Sequence, residues 1–517
     1  MSGLHLPDRV RLHAVENPTG TAVIAGESVL THAEFDASTT RVASALAATT
    51  APGGRVGVLA RMGLAGAETF IGCAKAGLVF VPLNWRLNPD EAAAIAVDAG
   101  LDVLIVDPEF AAAAAAIALA LPDVRVVVIG SDPTVLPTAT TWGQLVASGS
   151  DTDPGLGGDP DASVLQLYTS GTTGRPKGVV ATHRNLHNDP EGLQIYRFRE
   201  DAVALNAMPL FHIAGAGFLS TCVSAGIPLV LLGEFRAATV AALIDRHRIT
   251  HAFLVPSTIQ ALLDLPGLAD HDLTSLQVVA YGSSPITPTL LRRAMDTLQC
   301  GFVQRYGMTE TTGSVTALSV EDHDPSGERA ALLRSAGRPM PGVEVQIRDL
   351  ATGEPLPAGE TGEIVCRSRN NVAGYWLRDS DGLLTDDGFL RTGDTGHVDE
   401  NGYLFVTDRV KDMIITGGEN VYPVEVEVIL AEHPAVAEVA VVGVPDVRWG
   451  EAVTAVVRLV DGETPPTESE LVAFTTARLA SYKKPQRIHF VSELPRNASG
   501  KILKKSIRAD LAAGRHA

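Results

Sequence analysis

The sequence predicts an α/β protein with a large N-terminal domain of several subdomains and a small α+β C-terminal domain. Three observations carry this. Short apolar runs of strand length alternate with helical patterns through most of the 517 residues. A change in composition near Asp408–Asp412 divides a Gly- and Asp-rich stretch from a compact unit. The hydrophobic share of 45% suffices for a sizeable core and excludes wholesale disorder.

Taken in order, Thr21–Ala25 reads as a strand, followed by a helix that opens with Thr31 and Glu34 in capping-box spacing. Val56–Leu59, Val79–Leu83, Val103–Val106 and Val124–Ile129 read as buried strands, separated by Ala-rich helices such as Ala111–Leu121. Ala214–Gly233 carries no charge over 20 residues, long enough to raise the question of a membrane span. Its glycines, Pro228 and hydroxyl residues favour a buried helix, a turn at 226–228 and a buried strand. Short strands follow over Glu363–Val406. Beyond the boundary, Pro423 opens a helix with Glu425 and Glu427 in its early turns, where acids complement the helix dipole. Strands at Val439–Val444 and Val453–Leu459 precede a helix capped by Thr467 and Glu470. The expected division is a large domain over 1–408, a hinge at 409–411 and a small domain over 412–517.

The formal charge is −19, from 41 Lys and Arg against 60 Asp and Glu, which disfavours a nucleic-acid-coating protein. The deficit is uneven: Arg478–Arg508 holds nine Lys or Arg and one acid, a local charge of +8. A basic face that attracts polyphosphates is one expectation for it, with Lys504 and Lys505 as ordinary surface lysines. Cys73, Cys222, Cys300 and Cys366 lack metal-site spacing, and the first residues lack the apolar core of a signal peptide. Reduced thiols in a cytoplasmic chain without a transmembrane segment are expected.

Tyr168–Gly178, YTSGTTGRPKG, lies between two apolar runs. Its glycines and hydroxyls can surround phosphate oxygens, and Lys177 adds a point charge. The spacing of Gly171 and Gly174 is not that of a Walker loop, and on composition alone a surface loop is an equal reading. Further segments stand out: NAMPLFHIAG (206–215), QRYGMTETTG (304–313), RTGD (391–394), DRVKDMIITGGENVYPVEVE (408–427) and PRNASGKILKKSIR (495–508). Alone, each has a plain alternative. Tyr306 would more often be a core residue, Thr309–Glu310 a helix cap, Asp394 a turn residue and His212 a satisfied core histidine.

Together, in this order and across essentially the whole chain, the six segments resemble the core motifs of the adenylate-forming superfamily. That superfamily includes acyl-CoA synthetases, firefly-type luciferases and peptide-synthetase adenylation domains. The resemblance implies an AMP-forming acid–thiol ligase using ATP, Mg²⁺ and coenzyme A on a small carboxylic acid. Thr169, Ser170, Gly171, Thr172, Thr173, Gly174 and Lys177 would surround phosphates, and Ser283 would join the nucleotide site. Tyr306 would lie beside adenine, with Asp394 on the ribose and Arg409 on the ribose or a phosphate. Thr309 would bond the α-phosphate and Glu310 would hold Mg²⁺. Lys501 would bridge carboxylate and α-phosphate as charge develops.

The resemblance also implies that the small domain rotates about Lys411 between two half-reactions, with Gly417 and Gly418 then lining a thiol channel. Trp449, Tyr482 and Lys484 would meet the nucleotide end of coenzyme A. His212, Ala216, Val255, Tyr281, Gly282, Ser284, Gly307 and Thr312 would border the acid. Mostly small or apolar, they suit an uncharged fatty or aromatic monocarboxylic acid. The Gly282-Ser283-Ser284-Pro285 sequence departs from the family's common Gly-Gly-Ala-Pro and adds two hydroxyls. Ser257-Thr258-Ile259-Gln260-Ala261, without arginine after Val255-Pro256, disfavours malonate, and Ile213–Leu219 lacks the aspartate that amino-acid-activating relatives use. An amide-forming ligase is the alternative, a non-catalytic acyl-binding protein is disfavoured, and a homodimer is compatible with either ligase.

Overall fold

The computed structural model describes residues 4–130, 139–169, 176–186, 190–326, 329–380, 382–416, 419–460, 465–496 and 502–515. Its architecture is α/β, with a large N-terminal and a small C-terminal domain. The apolar runs, continuous rather than alternating, form strands buried on both faces, as parallel sheets require.

Two large sheets organise the N-terminal domain. One has seven strands with Arg55–Leu59 near its centre, flanked by Val79–Pro82 and Val103–Val106. All its neighbours are parallel except the final hairpin of Ser163–Thr169 with Lys177–Thr182. The other has nine strands, with His251–Leu254, Val278–Gly282 and Gly301–Met308 parallel neighbours. Gly301–Met308 then pairs antiparallel with Gly313–Leu318. A shared core of Phe70, Phe80, Val164, Phe218 and Val303 lies between these layers, and separate cores cover each outer face. A four-stranded antiparallel sheet from Glu344–Arg348 to Leu404–Arg409 completes this domain.

The uncharged tract resolves as helix Ile213–Ala225, ended by Gly226 at φ 68°, and strand Leu229–Leu231. The left-handed cap is a conformation that glycine adopts at no steric cost. Among the described residues no helix is long and apolar enough to cross a membrane. The four cysteines are free thiols, three of them buried.

Beyond residue 412 a separate five-stranded sheet forms, with apolar clusters on both faces. Its long hairpin, Val436–Asp446 with Gly450–Leu459, is flanked in parallel by Arg487–Val491. Helix Pro423–Ala431 begins at a proline with Glu425 in its first turn, and Thr467 closes a capping box with Glu470 on Glu468–Thr476.

The basic segment requires a correction. Lys483 pairs with Glu425, Arg487 with Asp446, Arg496 with Glu438 and Arg508 with Asp412. Much of the +8 is therefore neutralised by acids brought in from earlier in the chain. Lys504 is not a surface lysine either. Its side chain is 16% exposed, and Nζ lies 2.9 Å from Glu427 Oε1 and 3.7 Å from Asp408 Oδ2.

Candidate active site

Parallel strands place their C-terminal ends along one edge, and open α/β sheets receive ligands there. Val278–Gly282 and Gly301–Met308 end at a cavity of about 2450 Å³ that extends to both the four-stranded sheet and the small domain. Tyr306, Thr309, Glu310, Asp394, Arg409, His212, Ser283 and Lys177 all border it.

Asp394 is met on both carboxylate oxygens. Its side chain is 9% exposed; Tyr306 Oη donates to Oδ2 at 2.8 Å, and Arg409 Nε lies 2.7 Å from Oδ1. Thr392 Oγ1 accepts the backbone N–H of Asp394 at 3.1 Å and holds the turn. Strand pairing sets the Arg409 contact, since Asp394 and Arg409 are direct partners in the antiparallel ladder. Burial opposes the Arg409 charge, but Asp394, Tyr306 and Glu310 outweigh it and raise its pKa. Burial and the neighbouring Asp394 charge hold the Tyr306 hydroxyl well above the usual phenol value, so it stays a donor.

Glu310 is 6% exposed, in a short 3₁₀ turn over Thr309–Thr311. Its carbonyl accepts the Val372 N–H at 2.9 Å, and its carboxylate accepts Tyr375 Oη at 3.2 Å. Lys177 Nζ stands 4.5 Å from the centre of the same Tyr375 ring. A cation, a hydroxyl and a hard carboxylate thus meet around one aromatic side chain. A single carboxylate with a second oxygen to offer suits a Mg²⁺ ion whose remaining ligands are phosphates and water.

His212 is the N-cap of helix Ile213–Ala225, where Nδ1 accepts the Ala214 N–H at 3.1 Å. That bond assigns the proton of a neutral ring to Nε2, making the side chain a donor rather than a base at Nδ1. Ser283 and Thr312 border the cavity with φ of 67° and 49°. Left-handed backbone costs non-glycine residues of order 1 kcal/mol and concentrates at functional turns. Gly307 cannot be replaced cheaply, because an added Cβ would stand 1.9 Å from the Gly313 carbonyl oxygen.

Other expectations fare differently. Val255, Ser284, Gly307, Thr312 and Thr169 border the cavity. Ala216 is fully buried inside its helix layer and does not. Gly282 packs against the Arg305 backbone, where a Cβ would meet the carbonyl oxygen at 2.3 Å. Tyr281 reaches the edge of the cavity, but its side chain turns into the outer core and bonds His323 Nε2 at 3.0 Å. Alternation along the strand sends neighbouring side chains to opposite faces. Trp449 and Tyr482, each 39% exposed, and Lys484 belong to the small domain and do not border this cavity. Ser170, Gly171, Thr172, Thr173, Gly174, Gly417, Gly418, Lys501 and the side chain of Lys411 lie outside the described residues.

Three participants escape sequence reasoning. Tyr375 lies outside every recognisable segment. Lys504 looks like any lysine of a basic helix. Arg305 stands next to Tyr306 inside a motif, yet only the fold reveals that it faces the cavity.

Fold and cavity define a two-domain α/β protein with an anion-ready site at strand ends beneath a small second domain. The chain belongs to the AMP-binding enzyme family: the AMP-binding enzyme model matches residues 10–376, and the AMP-binding enzyme C-terminal domain model matches 425–501. It is 39% identical over 522 residues to the fatty acid–[acyl-carrier-protein] ligase ScoC of Streptomyces coeruleorubidus, covering 98% of each chain. To the feruloyl-CoA synthase of an Amycolatopsis species it is 39% identical over 497 residues, covering 95% of this chain and 96% of the relative. The solved structure of the amide bond synthetase McbA from Marinactinospora thermotolerans superposes with a TM-score of 0.87 at 31% identity, covering 98% of this chain and 99% of that one.

Proposed function

We propose that this chain is an ATP-dependent, AMP-forming acid–CoA ligase acting on a monocarboxylic fatty or aromatic acid. The observation that carries the reading is the Tyr306–Asp394–Arg409 constellation on the same cavity as Glu310, Tyr375 and Lys177. Together they offer a fixed carboxylate for vicinal hydroxyls and cationic and metal-ready groups for a polyphosphate. Its likeness to a fatty acid–[acyl-carrier-protein] ligase and a feruloyl-CoA synthase supports it.

In the first half-reaction an oxygen of the acid's carboxylate attacks the α-phosphorus of ATP. The bond from that phosphorus to the bridging oxygen breaks, and pyrophosphate leaves. Asp394 accepts the ribose hydroxyls, Tyr306 lies against adenine, and Arg409 and Thr309 steady the phosphate. Glu310 would hold Mg²⁺, which supplies charge neutralisation at the phosphates. His212 donates toward the acid. Lys501 bridges the acid and α-phosphate in this proposal, with Thr169 through Gly174 and Lys177 around the phosphates and Ser283 at the nucleotide.

In the second half-reaction the coenzyme A thiolate attacks the acyl carbon, the bond to the phosphate oxygen breaks, and AMP leaves. We assign the large domain to 1–408, the hinge to 409–411 around Lys411 and the small domain to 412–517. Gly417 and Gly418 line the thiol channel, and Trp449, Tyr482 and Lys484 receive the nucleotide end of coenzyme A. The compartment is the cytoplasm. Purified protein with ATP, Mg²⁺, coenzyme A and a panel of acids should release AMP and pyrophosphate and form the acyl thioester by mass spectrometry. Release of ADP and phosphate would overturn the reading. An amide product on adding amines, with no thioester, would favour the amide-ligase alternative that the McbA likeness keeps in view.

A further inference from the structure

The cavity contains two arginines in opposite situations. Arg409 is closed, its charge met by Asp394 at 2.7 Å. Arg305 is open. Its Nε donates to Ser314 Oγ at 2.7 Å, and its guanidinium lies 5.0 Å from the centre of the Tyr196 ring. Its Nη1 is buried with no hydrogen-bond partner among the described residues, and no described carboxylate pairs with this side chain.

A guanidinium held by one neutral hydroxyl and a ring face, with Nη1 unmet, keeps N–H donors for a further acceptor. The wall behind it supplies no relief, being the stacked Tyr196 and Phe198, then Phe218 and Phe253. Two more buried polar atoms on the same cavity lack a described partner: Thr312 Oγ1, at a strained left-handed position, and Gln304 Oε1. Native interiors leave few such groups, so three around one cavity point to a ligand that completes them.

Resting on the acid-ligase reading above, we infer that Arg305 is a specificity-determining residue that takes an oxygen acceptor carried on the acyl tail of the substrate. That acceptor is a neutral hydroxyl, ether or carbonyl oxygen, received on an otherwise aromatic wall. The substrate is therefore an oxygenated acid rather than a plain hydrocarbon one. A site built to hydrogen-bond a substrate discriminates strongly against the analogue that leaves its buried donor unpaired.

The test uses matched acids: butyrate, hexanoate and octanoate, their ω-hydroxy counterparts, the dicarboxylates succinate, adipate and suberate, and phenylpropanoates bearing a para hydrogen, hydroxyl or carboxyl. The readout is kcat/KM for acid-dependent pyrophosphate release by the full chain. In at least one set the oxygenated acid should exceed its hydrocarbon partner about tenfold or more, and Arg305→Met should reduce that ratio about tenfold. A preference for the hydroxy acid assigns the neutral acceptor, and one for the dicarboxylate would overturn that assignment together with the monocarboxylic reading. Arg305→Lys, which keeps an N–H donor, should retain part of the hydroxy-acid preference, which a merely structural role would not produce. Hydrocarbon acids preferred in every set, or a ratio unmoved in Arg305→Met, would overturn the inference and leave the ligase reading standing. Failure of every acid to release pyrophosphate would instead overturn the ligase reading and remove the inference with it.

Discussion

Replacing Lys504 with methionine removes the cation that joins the last helix to the boundary between the domains. Lys504 Nζ lies 2.9 Å from Glu427 and 3.7 Å from Asp408, whose side chain is 4% exposed. Asp408 is pushed up to about 6 from 3.8, chiefly by burial, against the opposing charge of Lys504 and with a further rise from Glu427. A folded-state value above the ordinary one means that folding takes up a proton between about pH 4 and 6. This group's contribution is complete below pH 3.8 and is lost as pH rises through 6, a swing of about 3 kcal/mol.

In Lys504→Met the main lowering charge is gone, so the Asp408 value rises further, and buried Asp408 and half-buried Glu427 face each other without their shared cation. Breaking a buried pair costs about 3–5 kcal/mol, which at 2–4 °C per kcal/mol is a drop in unfolding midpoint of at least about 6–12 °C at pH 8. At pH 5 Asp408 is protonated in the variant, and the drop should shrink to about half or less. Differential scanning calorimetry of both proteins from pH 5 to 8 measures this. A drop that is independent of pH, or absent at pH 8, would refute the assignment of Lys504 to these carboxylates.

Asp394→Ala should lower kcat/KM for ATP about 100-fold or more, since it leaves Arg409 and the Tyr306 hydroxyl without their acceptor; steady-state kinetics within tenfold of wild type would contradict this. Tyr375→Phe removes the hydroxyl that orients Glu310 and should raise the Mg²⁺ concentration for half-maximal rate about tenfold, read from a metal titration at fixed ATP. Gly307→Ala places a methyl 1.9 Å from the Gly313 carbonyl oxygen, and should cost most of the activity and several degrees of midpoint; a fully active, equally stable variant would show that the strand shifts freely there.

Much of this molecule is legible in its sequence because local rules govern it. The strand runs of the seven-stranded sheet, the Thr31–Glu34 and Thr467–Glu470 caps and the Gly226 helix end depend on near neighbours in the chain. The motif that carries Tyr306, Thr309 and Glu310 is likewise contiguous, and its chemistry is readable from its side chains. What the fold alone decides are meetings between distant residues and the directions of side chains. Asp394 meets Arg409 through ladder register, and Glu310 meets Tyr375 across 65 positions. The parity of a strand turns Tyr281 into the core while the chain around it borders the cavity. Charge shows the contrast most plainly: composition reports a +8 segment, whereas tertiary contacts neutralise Lys483, Arg487, Arg496 and Arg508 and leave Arg305 open. Electrostatic energy depends on distance and burial, and neither is a property of sequence separation.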